Sequence, residues 1–269
     1  MKVTMKDYIL SKLNDIIVLE EPDIPKGRVG VCDDFLPPEV FAELRDRMAE
    51  TEKTKPVKDW KVDEPYTIPS RMSPIGKIRL SDGVTGVVQV GKTTHTLVEF
   101  TDTEVIPISK IGMPTLKGQG AEFNHPTKVA LEFQKAWNST DVISAYFDKL
   151  GATDNKIKEY CTITRVHSYA PGWWYRNHLD TSLKIFTVVV YMFPEEPNNF
   201  LKYPLGTEIH SGKHNSYYGH VEWKPNRAIM FHVSNHPWHA FNVPKQMNQH
   251  RWVLMMNVIQ NDSFFSTHL

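Results

Sequence analysis

The chain has 269 residues and a mass of 31.0 kDa, with 31 Lys+Arg against 31 Asp+Glu, 41% hydrophobic residues and 11% aromatic. Zero formal net charge and no dense Lys/Arg run argue against a nucleic-acid partner, and apolar runs such as residues 188–193 fall far short of the roughly 20 residues of a membrane span. Cys32 and Cys161 are too few for a disulfide framework or a cysteine zinc site. With no apolar signal stretch in residues 1–21, the chain reads as a soluble cytoplasmic protein.

In chain order, Tyr8, Ile9, Leu13, Ile16 and Ile17 recur at helical spacing. Residues 30–36 read as a strand leading into a helix opened by Pro37-Pro38-Glu39, with Val40, Phe41, Leu44 and Met48 on its apolar face. Residues 54–120 are rich in Pro, Gly, Thr and Val, and alternating segments such as 94–100 predict strands and long connections. Two helices follow, 127–137 and 141–150, with Ser139 or Thr140 capping the second and Gly151 ending it. Beyond Lys158 short strands repeat at 160–169, 184–193, 207–210, 228–233 and 251–259, separated by Gly, Pro and Asn clusters. That texture favours a barrel or sandwich over a doubly wound sheet. The prediction is a single α+β domain spanning 1–269: helical support, outer strands and a candidate lid at 62–91 in residues 1–157, around a β-barrel-like core in 158–262.

Only His95 and His125 of the 12 histidines precede residue 166, so any imidazole chemistry is concentrated in the C-terminal part. There, His178-Leu179-Asp180 places an imidazole and a carboxylate on one face if the backbone is extended. A His-x-Asp triplet arises by chance about once in a chain of this composition, so its surroundings decide its meaning. A third ligand must come from another strand, and His232, His236 and His239 follow the apolar run Ile229-Met230-Phe231. Two imidazoles and one carboxylate on one octahedral face leave three positions open, which suits non-haem Fe(II). Arg251 starts a run, Trp252 to Asn257, that is apolar on both faces. An inward guanidinium there requires an anion, either a protein carboxylate or a small bound dicarboxylate.

The ordered set Tyr169-x-x-Gly172-x-x-Tyr175-x-x-His178-x-Asp180, Thr187 to Met192, Phe231, Trp238-His239-x-x-x-Val243-Pro244 and Arg251 resembles the 2-oxoglutarate/Fe(II)-dependent oxygenases of the prolyl-hydroxylase-like group. Asp34-Phe35-Leu36-Pro37-x-Glu39 is similar to their entry segment, and the resemblance covers residues 29–44 and 163–259. It implies a double-stranded β-helix (jelly-roll) core with supporting helices. It further implies that His178, Asp180 and His239 hold Fe(II), with His239 at the family's distance from Arg251. The cosubstrates would be 2-oxoglutarate and O2, Arg251 and Tyr169 would take the distal carboxylate of the keto acid, and Thr187 is a second candidate for that contact. Val253 stands where the family often has Ser or Thr. Asp180 is present where related halogenases have Gly or Ala, which implies oxygen transfer, with hydroxylation as the default outcome and succinate and CO2 released. Trp174, Tyr175, Arg176 and Arg71 are the candidate substrate contacts, and a small molecule such as an amino acid or natural-product intermediate is the expected substrate. The competing readings are a peptide or protein hydroxylase and a non-catalytic cupin-like metal-binding protein.

Overall fold

In the computed structural model, which describes residues 3–20, 28–54, 78–81, 85–90, 93–98, 106–107, 128–151, 160–169, 174–178, 180, 184–193, 205–211, 216–232, 238–244 and 247–260, the first element is helix α1 (Met5–Ser11). A reciprocal cap starts it: the Thr4 hydroxyl accepts from the Asp7 N–H, and the Asp7 carboxylate accepts from the Thr4 N–H. The helical spacing expected to run through Ile17 stops early, because Lys12–Asp15 tighten into a 3₁₀ turn and β1 begins at Ile17 (Ile17–Glu20). The β-branched run Ile16-Ile17-Val18 favours extended backbone over another helical turn. Strand β2 (Arg28–Cys32) then leads to α2 (Pro38–Thr54), whose first residue is a proline that needs no N–H there.

Strands β3 (Ile78–Ser81), β4 (Thr85–Val90) and β5 (Thr93–Val98) form a three-stranded antiparallel sheet, and β6 (Ile106–Pro107) follows. The rest of the candidate lid lies outside the described residues. Helices α3 (Lys128–Trp137) and α4 (Thr140–Lys149) fall within one residue of expectation. Ser139 precedes α4 in extended conformation, but its hydroxyl donates to Ala136 O at the end of α3. Gly151 follows α4 at φ 68°, a conformation costly for any residue with a Cβ.

The C-terminal strands are β7 (Tyr160–Tyr169), β8 (Trp174–His178), β9 (Lys184–Phe193), β10 (Thr207–Ser211), β11 (Ser216–Val221), β12 (Ala228–His232), β13 (Trp238–Asn242) and β14 (Arg251–Gln260). They fall into two antiparallel sheets among the described residues, one ordered β1-β2-β12-β9-β14-β7-β6 and the other β11-β10-β13-β8. From β7 onward the chain alternates between them except at the β10–β11 hairpin: β7, β9, β12 and β14 lie in the larger sheet, and β8, β10, β11 and β13 in the smaller.

Strand alternation gives the larger sheet two apolar faces. Phe186, Val188, Val190 and Met192 of β9 and Trp252, Leu254, Met256 and Val258 of β14 pack with Phe35, Phe133, Trp137, Val142 and Tyr146 on the helical side. Phe35 meets Phe133, Trp137 and Tyr146 edge-on at 5.9–6.4 Å. Tyr191, Ile229, Phe231 and Val253 face the other way and pack with Ile209 and Val221 of the smaller sheet. Of the candidate ligands with described side chains, Asp180 and His239 reach the space between the sheets and His232 does not.

Candidate active site

His178 is the last residue of β8, and His239 of β13 is its antiparallel partner. Two histidines 61 positions apart in sequence therefore share a register position. The His239 ring is buried and lies 4.6 Å from the Phe231 ring of the opposing sheet. Phe231 is in turn the cross-strand partner of Thr187, and the Thr187 hydroxyl donates to Asp180 Oδ2 at 2.9 Å. Asp180 and His239 therefore reach the same patch of wall from two sides.

The Asp180 carboxylate has a second donor, Lys184 Nζ, 2.8 Å from Oδ1. Thr187 Oγ also lies 3.0 Å from Asn257 Oδ1, and Asn257 is its register partner on β14. A hydroxyl has one proton, so the Asn257 amide fits best with its NH₂ turned toward Thr187, leaving the Thr187 proton for Asp180. The result is a relay, Asn257 to Thr187 to Asp180, that fixes the carboxylate plane. The side chain of His178 lies outside the described residues, and among the described residues no three His, Cys, Asp or Glu side chains cluster as a metal site.

Arg251 begins β14 opposite Tyr169, the last residue of β7. Strand phase sends Arg251, Val253 and Asn257 to the side of the smaller sheet and Trp252, Leu254 and Met256 to the helices. Arg251 is 2% exposed, and its Nε donates to Leu205 O at 3.1 Å. The rings of Phe241, Trp223, Tyr191 and Tyr169 surround its guanidinium at 4.1, 5.2, 5.6 and 5.7 Å. No carboxylate among the described residues pairs with it, and burial holds its pKa below the ordinary arginine value, with Tyr191 and Tyr169 opposing in part. Stacking on these desolvated rings and the Leu205 hydrogen bond together return about 2–4 kcal/mol, which offsets much of the several that burying an ion costs. The cage thus holds the charge in place, set to receive an anion.

The strand carrying Arg251 is fastened from the helical side. Glu52 of α2 accepts from the His250 N–H at 3.0 Å, from His250 Nδ1 at 2.8 Å and from Trp252 Nε1 at 2.8 Å. Tyr191, whose phenol pKa burial raises, donates to Thr207 Oγ1 at 2.7 Å and stacks on Trp223 at 4.6 Å.

The chain resembles prolyl-hydroxylase-like oxygenases. A prolyl-4-hydroxylase of Pseudomonas putida matches it at 12% identity and TM-score 0.47 over 94% of this chain and 99% of that one. A prolyl hydroxylase of Trichoplax adhaerens, solved with a hypoxia inducible factor oxygen degradation domain peptide fragment, matches at 11% identity and TM-score 0.43 over 98% and 93%. A 2OG-Fe(II) oxygenase family oxidoreductase of Burkholderia pseudomallei matches at 11% and TM-score 0.42 over 97% and 94%. No protein-family model matches the chain, and no curated protein does. At such identities the chemistry has to be read from this chain's own residues.

The structure brings Tyr169 beside Arg251 and seats Thr187, the second candidate for the keto-acid contact, on Asp180. It places His232 on the wrong face: that residue is in phase with Ala228 and Met230 of the helix-facing core, and its ring meets Phe147 of α4 at 5.8 Å. His236 and Arg71, and the side chains of Trp174, Tyr175 and Arg176, lie outside the described residues. Sequence reasoning missed Lys184, Asn257, Tyr191, Trp223 and Phe241. Of these only Asn257 left a readable signal, a lone amide in an apolar run and in phase with Arg251. Among the described residues no helix is long and apolar enough to cross a membrane.

Proposed function

We propose that this chain is an Fe(II)- and 2-oxoglutarate-dependent oxygenase whose β7–β14 strands form a double-stranded β-helix. The carrying observation is the buried guanidinium of Arg251, without a carboxylate among the described residues and stacked on Phe241, two positions along β13 from His239. Residues i and i+2 of a strand are ~7 Å apart on one face, about the length of a five-carbon dicarboxylic acid. A keto acid with one end at His239 therefore brings its far carboxylate to Arg251.

The donor set fits the metal, since two imidazoles and a carboxylate suit Fe(II) and leave room for other ligands. His178, Asp180 and His239 would hold it, and when bound it would supply oxygen activation coupled to decarboxylation of the keto acid to succinate and CO2. The chain's own contributions are positional and electrostatic. Thr187 and Asn257 fix the Asp180 carboxylate, Arg251 with Tyr169 grips the distal carboxylate of 2-oxoglutarate, and the rings of Tyr169, Tyr191, Trp223 and Phe241 keep water from that ion pair. The product we infer is a hydroxylated small molecule such as an amino acid or natural-product intermediate, with Trp174, Tyr175, Arg176 and Arg71 as its contacts and the cytoplasm as its compartment.

Anaerobic addition of Fe(II) and 2-oxoglutarate tests this. A weak visible charge-transfer band is expected, lost in His178→Ala, Asp180→Ala and His239→Ala, followed by oxygen-dependent succinate formation across a panel of amino acids and peptides. No band together with tight zinc binding would instead make the chain a passive metal-binding protein, and succinate stimulated by peptides alone would make it a peptide hydroxylase.

A further inference from the structure

The two donors on Asp180 differ in kind. Thr187 is neutral, buried and backed by Asn257. Lys184 carries a charge, its side chain is 22% exposed, and among the described residues its ammonium bonds only to Asp180 Oδ1, at 2.8 Å. A monovalent cation thus sits in contact with the one carboxylate that the proposed centre uses. A divalent ion bound to the same carboxylate, whose side chain is 8% exposed, would stand within a few ångströms of that ammonium in a poorly screened setting. The repulsion is relieved when the long, partly exposed lysine stem swings its head into water. The threonine hydroxyl has no charge to move away and keeps its bond.

We propose that Lys184 is the resident counter-cation of the metal-free protein, displaced on metal uptake, so that it weakens divalent-metal affinity while Thr187, a positioning residue, strengthens it. The proposal rests on Asp180 being a metal ligand. Opposite signs from two residues on one carboxylate separate this arrangement from one in which both simply hold Asp180 in place.

Isothermal titration of the full chain with Co(II) provides the test. Losing a hydrogen bond to a charged group lowers the cost of metal entry, so Lys184→Met is expected to bind Co(II) roughly ten- to a hundredfold more tightly than wild type. Lys184→Arg keeps the competing charge and stays near wild type, and Thr187→Val binds roughly tenfold more weakly or worse. Without metal, Lys184→Met melts lower than wild type because Asp180 has lost a charged hydrogen-bond donor, and Co(II) raises its Tm by more than it raises that of wild type. Should that variant not fold, Lys184→Gln, which keeps the size and a donor while removing the charge, carries the same expectation of tighter binding. Equal or weaker Co(II) binding by the charge-removed variant, with wild type binding normally, overturns the role of Lys184 and leaves the metal centre standing. Absence of Co(II) binding in both overturns the reading of Asp180 as a ligand and this proposal with it.

Discussion

Replacing Arg251 with methionine separates a cosubstrate-binding arginine from a structural one. The side chains are similar in length, so the aromatic cage of Tyr169, Tyr191, Trp223 and Phe241 stays filled. An arginine ion-paired inside the protein costs about 3–5 kcal/mol when removed, because its partner is left charged and buried. Arg251 has no such partner among the described residues. Its removal forfeits the Leu205 hydrogen bond and the ring contacts, together about 2–4 kcal/mol, and relieves a desolvation penalty of several kcal/mol. The two nearly cancel, so without cosubstrate the variant should lie within about 1 kcal/mol of wild type, a Tm shift of a few degrees at this chain length. Affinity behaves differently. Truncating one member of a buried charge pair costs about 2–5 kcal/mol, roughly 30- to 4,000-fold in the Kd for 2-oxoglutarate. Differential scanning fluorimetry with Zn(II), with and without 2-oxoglutarate, reads both quantities, since a bound ligand at a hundred times its Kd stabilises by about 2.7 kcal/mol. A variant that melts roughly 10 °C lower yet keeps its 2-oxoglutarate response would refute the reasoning and place a protein carboxylate on Arg251.

Three further outcomes follow from the geometry. Glu52→Ala leaves the His250 N–H, His250 Nδ1 and Trp252 Nε1 without their common acceptor and should destabilise the protein by about 3–5 kcal/mol in urea titration. His232→Phe should leave Co(II) affinity unchanged while His239→Ala abolishes it, because only His239 faces the space between the sheets. The Arg227 and Lys224 hydrogen bonds hold the Asp33 carboxyl down to about 2 from its ordinary 3.8. A depressed pKa gives stability that is whole above 3.8 and disappears as pH falls toward 2. Asp33→Asn should therefore flatten the acid-unfolding profile between those values, and an unchanged profile would mean that exposed pair is fully screened.

Long, strongly patterned elements were legible in the sequence, and short polar ones were not. Strands β7, β9 and β14 and helices α2, α3 and α4 lie within a residue or two of expectation at nearly every end, because each presents enough apolar positions to fix its period. The exception is the end of α2, which runs to Thr54 through the polar residues Glu50 to Lys53. Strands β8, β11 and β13 went unread. Their sequences, Trp174-Tyr175-Arg176-Asn177-His178, Ser216 to Val221 and Trp238-His239-Ala240-Phe241-Asn242, mix aromatics with polar groups over five or six residues, too short for alternation to show. Pairing makes them strands, β11 and β13 on either side of β10 and β8 on β13, with β10 and β11 packed on the core facing Tyr191 and Phe231. In the smaller sheet tertiary pairing decides what local propensity leaves open.

The site shows the same division more sharply. Residue types and spacing mark His178, Asp180 and Arg251, because a charge or imidazole amid apolar strands is conspicuous along the chain. Strand phase goes one step further and pairs Arg251 with Asn257 on one face. What phase cannot supply is register across strands: that Thr187 meets Asn257 seventy residues away, that Tyr169 faces Arg251, or that His239 is the residue opposite His178. Register is fixed by the whole set of side chains on both faces at once, and slipping one residue would turn every one of them to the wrong side. The choice between His232 and His239 depends on this. Both are buried histidines near the end of an apolar run. Only the pairing of β12 with β9, which turns Phe231 toward the smaller sheet and His232 toward Phe147, puts the two on different sides of the larger sheet.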